Sequence, residues 1–71
     1  MSKTLEELGY EKRENDYYTV FHNGGEQIAF DKEYKEVDCE MFTAGGEFTT
    51  KKITMEELKA IYKWCEDNKW I

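Results

Sequence analysis

Apolar side chains recur with two different periods along this chain. Through residues 17–50 they tend to alternate with polar ones, the period of a strand with one buried face; from residue 53 they return every three or four positions, the period of a helix. The alternation is cleanest in "EVDCEMF" (36–42), with Val37, Cys39 and Met41 on one side and Glu36, Asp38 and Glu40 on the other. "YYTVFH" (17–22) and "QIAF" (27–30) flank "NGGE" (23–26), a hairpin signal because Asn and Gly accept positive φ. A turn around Lys32 to Lys35 leads into residues 36–42. "AGG" (44–46) then permits a reversal into a short edge strand, "EFTT" (47–50), with Phe48 inward. Residues 10–14 supply an edge strand on the other side, turning at Asn15-Asp16.

Register follows from parity, since a slip of one residue exchanges the two faces of a strand. Loops with an even number of residues at both central hairpins bring Tyr17, Thr19 and Phe21 onto the face of Ile28 and Phe30, and these onto the face of Val37, Cys39 and Met41. A three-residue bulged loop at the glycines would instead turn Tyr18, Val20 and His22 inward. The even register puts the apolar sides of all three strands together, and it is the expected one.

The last segment, "ITMEELKAIYKWCEDNKWI" (53–71), opens with a capping box: Thr54 and, three residues on, Glu57 each satisfy a backbone N–H at the start of a helix, with Ile53 and Leu58 placed as a hydrophobic staple. Met55, Leu58, Ile61, Tyr62 and Cys65 fall within an arc of about 120°, the face expected to be buried. Trp64 lies at its edge, half exposed. Asn68 is the expected left-handed stop, turning Trp70 and Ile71 back as a latch on the core. "TLEEL" (4–8) repeats the capping chemistry with Thr4 and Glu7, but Gly9 limits it to a short helical turn. The predicted fold is α+β: an antiparallel β-meander of three to five strands with the C-terminal helix across one face and a short N-terminal helical turn.

Composition narrows the class. Seventy-one residues make a single domain, 1–71, near the lower limit for one apolar core, and four Phe, five Tyr and two Trp provide most of the area to bury. No apolar run spans a membrane or forms a signal peptide, which leads to the expectation of a soluble, cytoplasmic protein. Sixteen acidic residues against ten basic ones give a formal charge of −6. Nucleic-acid affinity arises mainly from Lys and Arg displacing counterions, so direct nucleic-acid binding is not expected and a basic protein partner is. Cys39, Cys65 and His22 are too few for a structural zinc site. The cysteines are expected reduced, as small apolar residues.

In the even register the outer face carries Glu36, Asp38 and Glu40 as a row of like charges about 6.8 Å apart, two strand residues at a time. Beside it stand Tyr18, Val20 and Phe42. An acidic row next to exposed apolar groups suits docking of a basic protein, and these six residues are the candidate binding site. A polar outer face is also what any one-sided antiparallel sheet requires. Chemistry has less to work with: His22 is a strand-end histidine, Cys65 lies on the core face of a helix where a thiol is inert, and neither glycine turn leads into a phosphate-binding helix. "DKEYKE" (31–36) lacks the ligand ladder of a calcium loop. No cofactor and no catalytic residue are expected.

"IAFDKEYKEV", "ITMEELKAI" and the closing Trp-Ile together resemble small uncharacterised proteins of phages and prophages of Gram-positive bacteria, in which an acidic hairpin precedes an IT-x-EEL-x-AI helix. The resemblance spans roughly residues 17–71 and implies a phage or mobile-element context without implying an activity. The function expected is that of a non-enzymatic accessory protein that binds another protein, as an inhibitor or as a mimic of nucleic-acid charge. The alternative is a structural or assembly module that self-associates as a homodimer through its sheet.

Overall fold

Each expected strand pairs with its neighbour in sequence. The computed structural model describes residues 3–71. It contains β1 (Glu11–Glu14), β2 (Tyr18–Asn23), β3 (Glu26–Asp31), β4 (Glu36–Phe42) and β5 (Phe48–Thr50), followed by α1 (Met55–Asp67). The strands form one antiparallel sheet in the order β1-β2-β3-β4-β5, with the helix across one face, an α+β meander.

Both central loops have an even number of residues. Asn23 pairs with Glu26 across the two-residue turn Gly24-Gly25, where Gly24 takes a φ of 59° that a side chain would resist. Asp31 pairs with Glu36 across four residues, its Oδ1 accepting from the N–H groups of Glu33 and Tyr34. Thr19, Phe21, Ile28 and Phe30 therefore share the helix-facing side and are fully buried, and Val37 and Cys39 continue that side half-buried. Above Phe30 lies an aromatic cluster: Trp64 stacks on it with ring centroids 3.8 Å apart, and Trp70 meets both rings edge to face at 6.0 and 4.9 Å.

Helix α1 starts as its capping box dictates. Thr54 Oγ1 accepts from the N–H of Glu57, and Glu57 Oε1 accepts from the N–H of Thr54. Its other end differs from expectation by one residue. Asn68 is the C-cap, but Lys69 takes the left-handed conformation, φ 59°. The N–H of Trp70 donates to the carbonyl of Cys65 and that of Lys69 to the carbonyl of Glu66, a Schellman closure. Trp70 is thereby latched onto Trp64, whereas Ile71 points into solvent.

The helix is also rotated from the expected arc. Glu57, Ala60 and Ile61 are its buried residues, with Trp64 and Cys65 half-buried, while Met55, Leu58 and Tyr62 are exposed. Two contacts set this rotation: Trp64 on Phe30, and the carboxylate of Glu57 on Lys51 and Tyr10.

At the expected short N-terminal turn, residues 5–9 form hydrogen-bonded turns that are not assigned as helix, and Thr4 and Glu7 exchange capping hydrogen bonds at 2.9 and 3.1 Å. Two smaller expectations are corrected. Tyr17 is exposed, because the Asn15 side chain accepts from the N–H groups of Tyr17 and Tyr18 and keeps Tyr17 in the turn. Phe48 is on the outer face, not the inner, since five loop residues separate it from its partner Phe42 and an odd count reverses the parity. Both cysteines are free.

Candidate functional site

The face of the sheet turned away from α1 is built by cross-strand rows that the register defines. Arg13, Val20, Ala29 and Asp38 form one row; Glu11, His22, Gln27, Glu40 and Thr50 a second; Tyr18, Asp31 and Glu36 a third. All six residues expected at the docking site, Tyr18, Val20, Glu36, Asp38, Glu40 and Phe42, have strand positions on this one face. Tyr18, Glu36, Asp38 and Phe42 are exposed; Val20 and Glu40 are half-buried.

The structure adds Phe48 to them. Its ring meets that of Phe42 edge to face at 5.3 Å, and each is more than half exposed, Phe42 at 51% and Phe48 at 54%. Leaving two phenyl rings half in water forgoes roughly half of the about 1.5–3 kcal/mol that full burial of each would be worth. With His22, Gly25 and Gln27 the pair borders a shallow notch of about 210 Å³. Sequence reasoning missed Phe48 because its face depends on the length of the 43–47 loop.

Electrostatically the face is one-sided. Among the described residues, Asp31, Glu36, Asp38 and Glu40 have no cation within ion-pair distance, although the chain forms such pairs elsewhere, as in Lys32–Glu14 at 2.9 Å. Among the described residues, Arg13 is the sole Lys or Arg at a strand position on this face. The imidazole of His22 approaches Glu11 to 3.8 Å, and its buried Nε2 has no hydrogen-bond partner.

A second polar group, on the helix side, was invisible in the sequence. Lys51, one of two adjacent lysines in the sequence, is 7% exposed. Its Nζ donates to Glu57 Oε2 at 2.8 Å and to the Tyr10 hydroxyl at 2.9 Å, with Glu26 at 3.8 Å; the Tyr10 hydroxyl also donates to Glu57 Oε2. Burial disfavours the charge on Lys51, but the hydrogen bonds from its ammonium to Glu57 and Tyr10 outweigh that and hold it protonated well above the usual lysine range. Burial likewise opposes ionisation of Glu57, and hydrogen bonds from Lys51, Tyr10 and the Thr54 backbone bring its carboxyl down to about 2. A lysine held so firmly as an ammonium is a structural cation, not a nucleophile.

Burial raises the thiols of Cys39 and Cys65, which makes them less reactive than free cysteine. Among the described residues no group of three or more His, Cys, Asp or Glu side chains is arranged to hold a metal ion, and no helix is long and apolar enough to cross a membrane. No family model, curated protein or solved structure matches the chain.

Proposed function

We propose that this chain is a non-catalytic binding protein of the phage or prophage accessory type, and that its outer sheet face docks a basic surface on another protein in the cytoplasm. The observation that carries this reading is the company kept by the carboxylates: four without cationic partners among the described residues, on the same sheet face as an exposed Phe42–Phe48 pair. Unpaired like charges on one sheet face oppose folding. A basic partner would supply the missing cations, and the two rings would provide the apolar anchor around which charged rims are effective. Surfaces that bind nucleic acid are the natural class of partner, because their Lys and Arg side chains are arranged to meet a row of anions. The role is then inhibition by charge mimicry.

The test compares wild type with a Glu36→Lys/Asp38→Lys/Glu40→Lys variant whose fold is verified by circular dichroism. Each is immobilised and exposed to bacterial lysate, then eluted with heparin. Wild type is expected to retain basic proteins that heparin releases, and the variant to lose at least about tenfold of them, as reversal of several rim charges should produce. Equal retention by the two would overturn the reading.

A further inference from the structure

The apolar arc of α1 is wider than the domain uses. Met55, Leu58 and Tyr62 are 67%, 44% and 58% exposed, and Cys65 is half-buried. Their spacings of three, four and three residues are those of a coiled-coil seam. The seam occupies one flank of the helix. The opposite flank, carrying Lys63 and Asp67, borders a small cavity with Leu5 and Phe21, toward the N-terminal turns and β2. The seam is thus turned toward β4, where Val37 and Cys39 are half-buried and Met41 is exposed. Among the described residues, none covers the exposed Met55, Leu58 and Tyr62 of the helix or Met41 of the sheet.

We infer that a second copy of this chain covers these side chains, through antiparallel two-fold pairing of α1 along Met55, Leu58, Tyr62 and Cys65. Three features select a second copy over another partner. In antiparallel pairing Met55 meets Cys65 of the second copy and Leu58 meets Tyr62, so the seam is complementary to itself, as a two-fold interface requires. The residues following Leu58 and Cys65 in the seam are Lys59 and Glu66, of opposite sign, and neither forms an ion pair among the described residues. The pairing places Lys59 near Glu66 of the other copy, twice. The unpaired carboxylates that would repel a like molecule are on the far side of the sheet.

Covering the seam and Met41 in both copies removes roughly 1,000 Å² from water, below the size of stable interfaces, so the dimer is weak and reversible. The pairing leaves both acidic faces uncovered, since they lie on the side of each sheet turned away from its helix. A partner bearing two basic sites would therefore be bound bivalently.

Sedimentation equilibrium of the full chain, from about 10 μM to about 1 mM, is expected to show a monomer–dimer equilibrium. Leu58→Glu and Tyr62→Glu should each abolish it while leaving the far-ultraviolet circular dichroism unchanged, since both side chains are exposed in the monomer. Lys59→Glu or Glu66→Lys alone should weaken the dimer several-fold, and the two together should restore it. A monomer throughout the range overturns the inference. So does a dimer indifferent to Leu58→Glu but dissolved by Phe42→Glu, or a double charge swap that fails to restore what the single swaps lose.

Discussion

Lys51 brings a positive charge into the interior beside one carboxylate and one phenol, and the satisfaction of those groups decides whether it stabilises the fold. Two of its donors are used, and the carboxylate it meets also caps α1 through its other oxygen. One glutamate thus joins the helix start, the segment after β5 and Tyr10. Because the Glu57 carboxyl lies at about 2 in the folded protein against 4.5 unfolded, its contribution is complete above pH 4.5 and lost as pH falls through about 2. The Lys51 contribution has the opposite sign: complete below 10.5, and lost only as pH rises through its higher folded value. Lys51→Met leaves Glu57 buried with the Tyr10 hydroxyl and the cap as its remaining support. The expected loss at pH 7 is about 3–5 kcal/mol. Its pH dependence should also reverse: thermal melts of the variant should rise between pH 7 and 4 as the stranded carboxylate takes a proton. Lys51→Met/Glu57→Gln, which keeps a capping acceptor and removes the charge, should recover most of the loss at pH 7. A variant that melts like wild type would show the pair to be energetically idle. Apart from the cap, none of this was legible beforehand. A lysine next to another lysine after a polar strand reads as surface, and only the burial of Tyr10 and Glu57 beside it gives it a different role.

At the scale of elements, what could be read was whatever is encoded locally. The start of α1 is set by two residues three apart, and the β2–β3 turn by two glycines; both were recognisable without tertiary information. The helix rotation was not. Met55, Leu58 and Tyr62 satisfy the apolar period as well as Ala60 and Trp64 do, and the choice was made by Trp64 stacking on Phe30 and Glu57 binding Lys51, both long-range contacts. The face of Phe48 and the exposure of Tyr17 depended on loop geometry that several sequences would allow. The C-terminal stop shows how narrow such a miss can be. Asn68 was expected to take the left-handed position, but its backbone and side-chain N–H groups both donate to the Trp64 carbonyl, and Lys69 takes it instead. A side chain there costs about 1–2 kcal/mol, of which glycine's greater loss of chain entropy offsets about 0.5–1, leaving a net of about 0.5–1 kcal/mol. Lys69→Gly is therefore expected to raise the melting temperature by about 2–8 °C in a domain of this size. A fall in calorimetry would mean that the charge of Lys69 near the helix C-terminus outweighs its backbone strain.

For the molecule as a whole, the distribution of a net charge of −6 matters more than its size. The helix side neutralises its buried carboxylate, and the edge at β1 neutralises Glu14 through Lys32. The outer sheet face does neither. The six expected residues do share that face, because an even register could be argued from the agreement of apolar sides. What the sequence could not convey was the absence of compensating cations, since charges on neighbouring loops reach toward or away from a sheet according to the turn. Asp31 and Glu36 stand directly opposite each other across β3 and β4, and like charges so placed cost roughly 0.2–1 kcal/mol. A fold under pressure for stability alone would remove one of them at little expense, whereas a docking face retains both and accepts the loss. Glu36→Lys separates these two accounts within one molecule. It should raise the melting temperature by about 1–8 °C, by turning the repulsive pair into an attractive one, and in the same protein it should lower retention of heparin-eluted partners. A rise in stability with retention unchanged would make the carboxylate row an ordinary solvated surface. A fall in stability would mean that Glu36 is held by contacts within the fold, and the repulsion across β3 and β4 would then not be what governs this face.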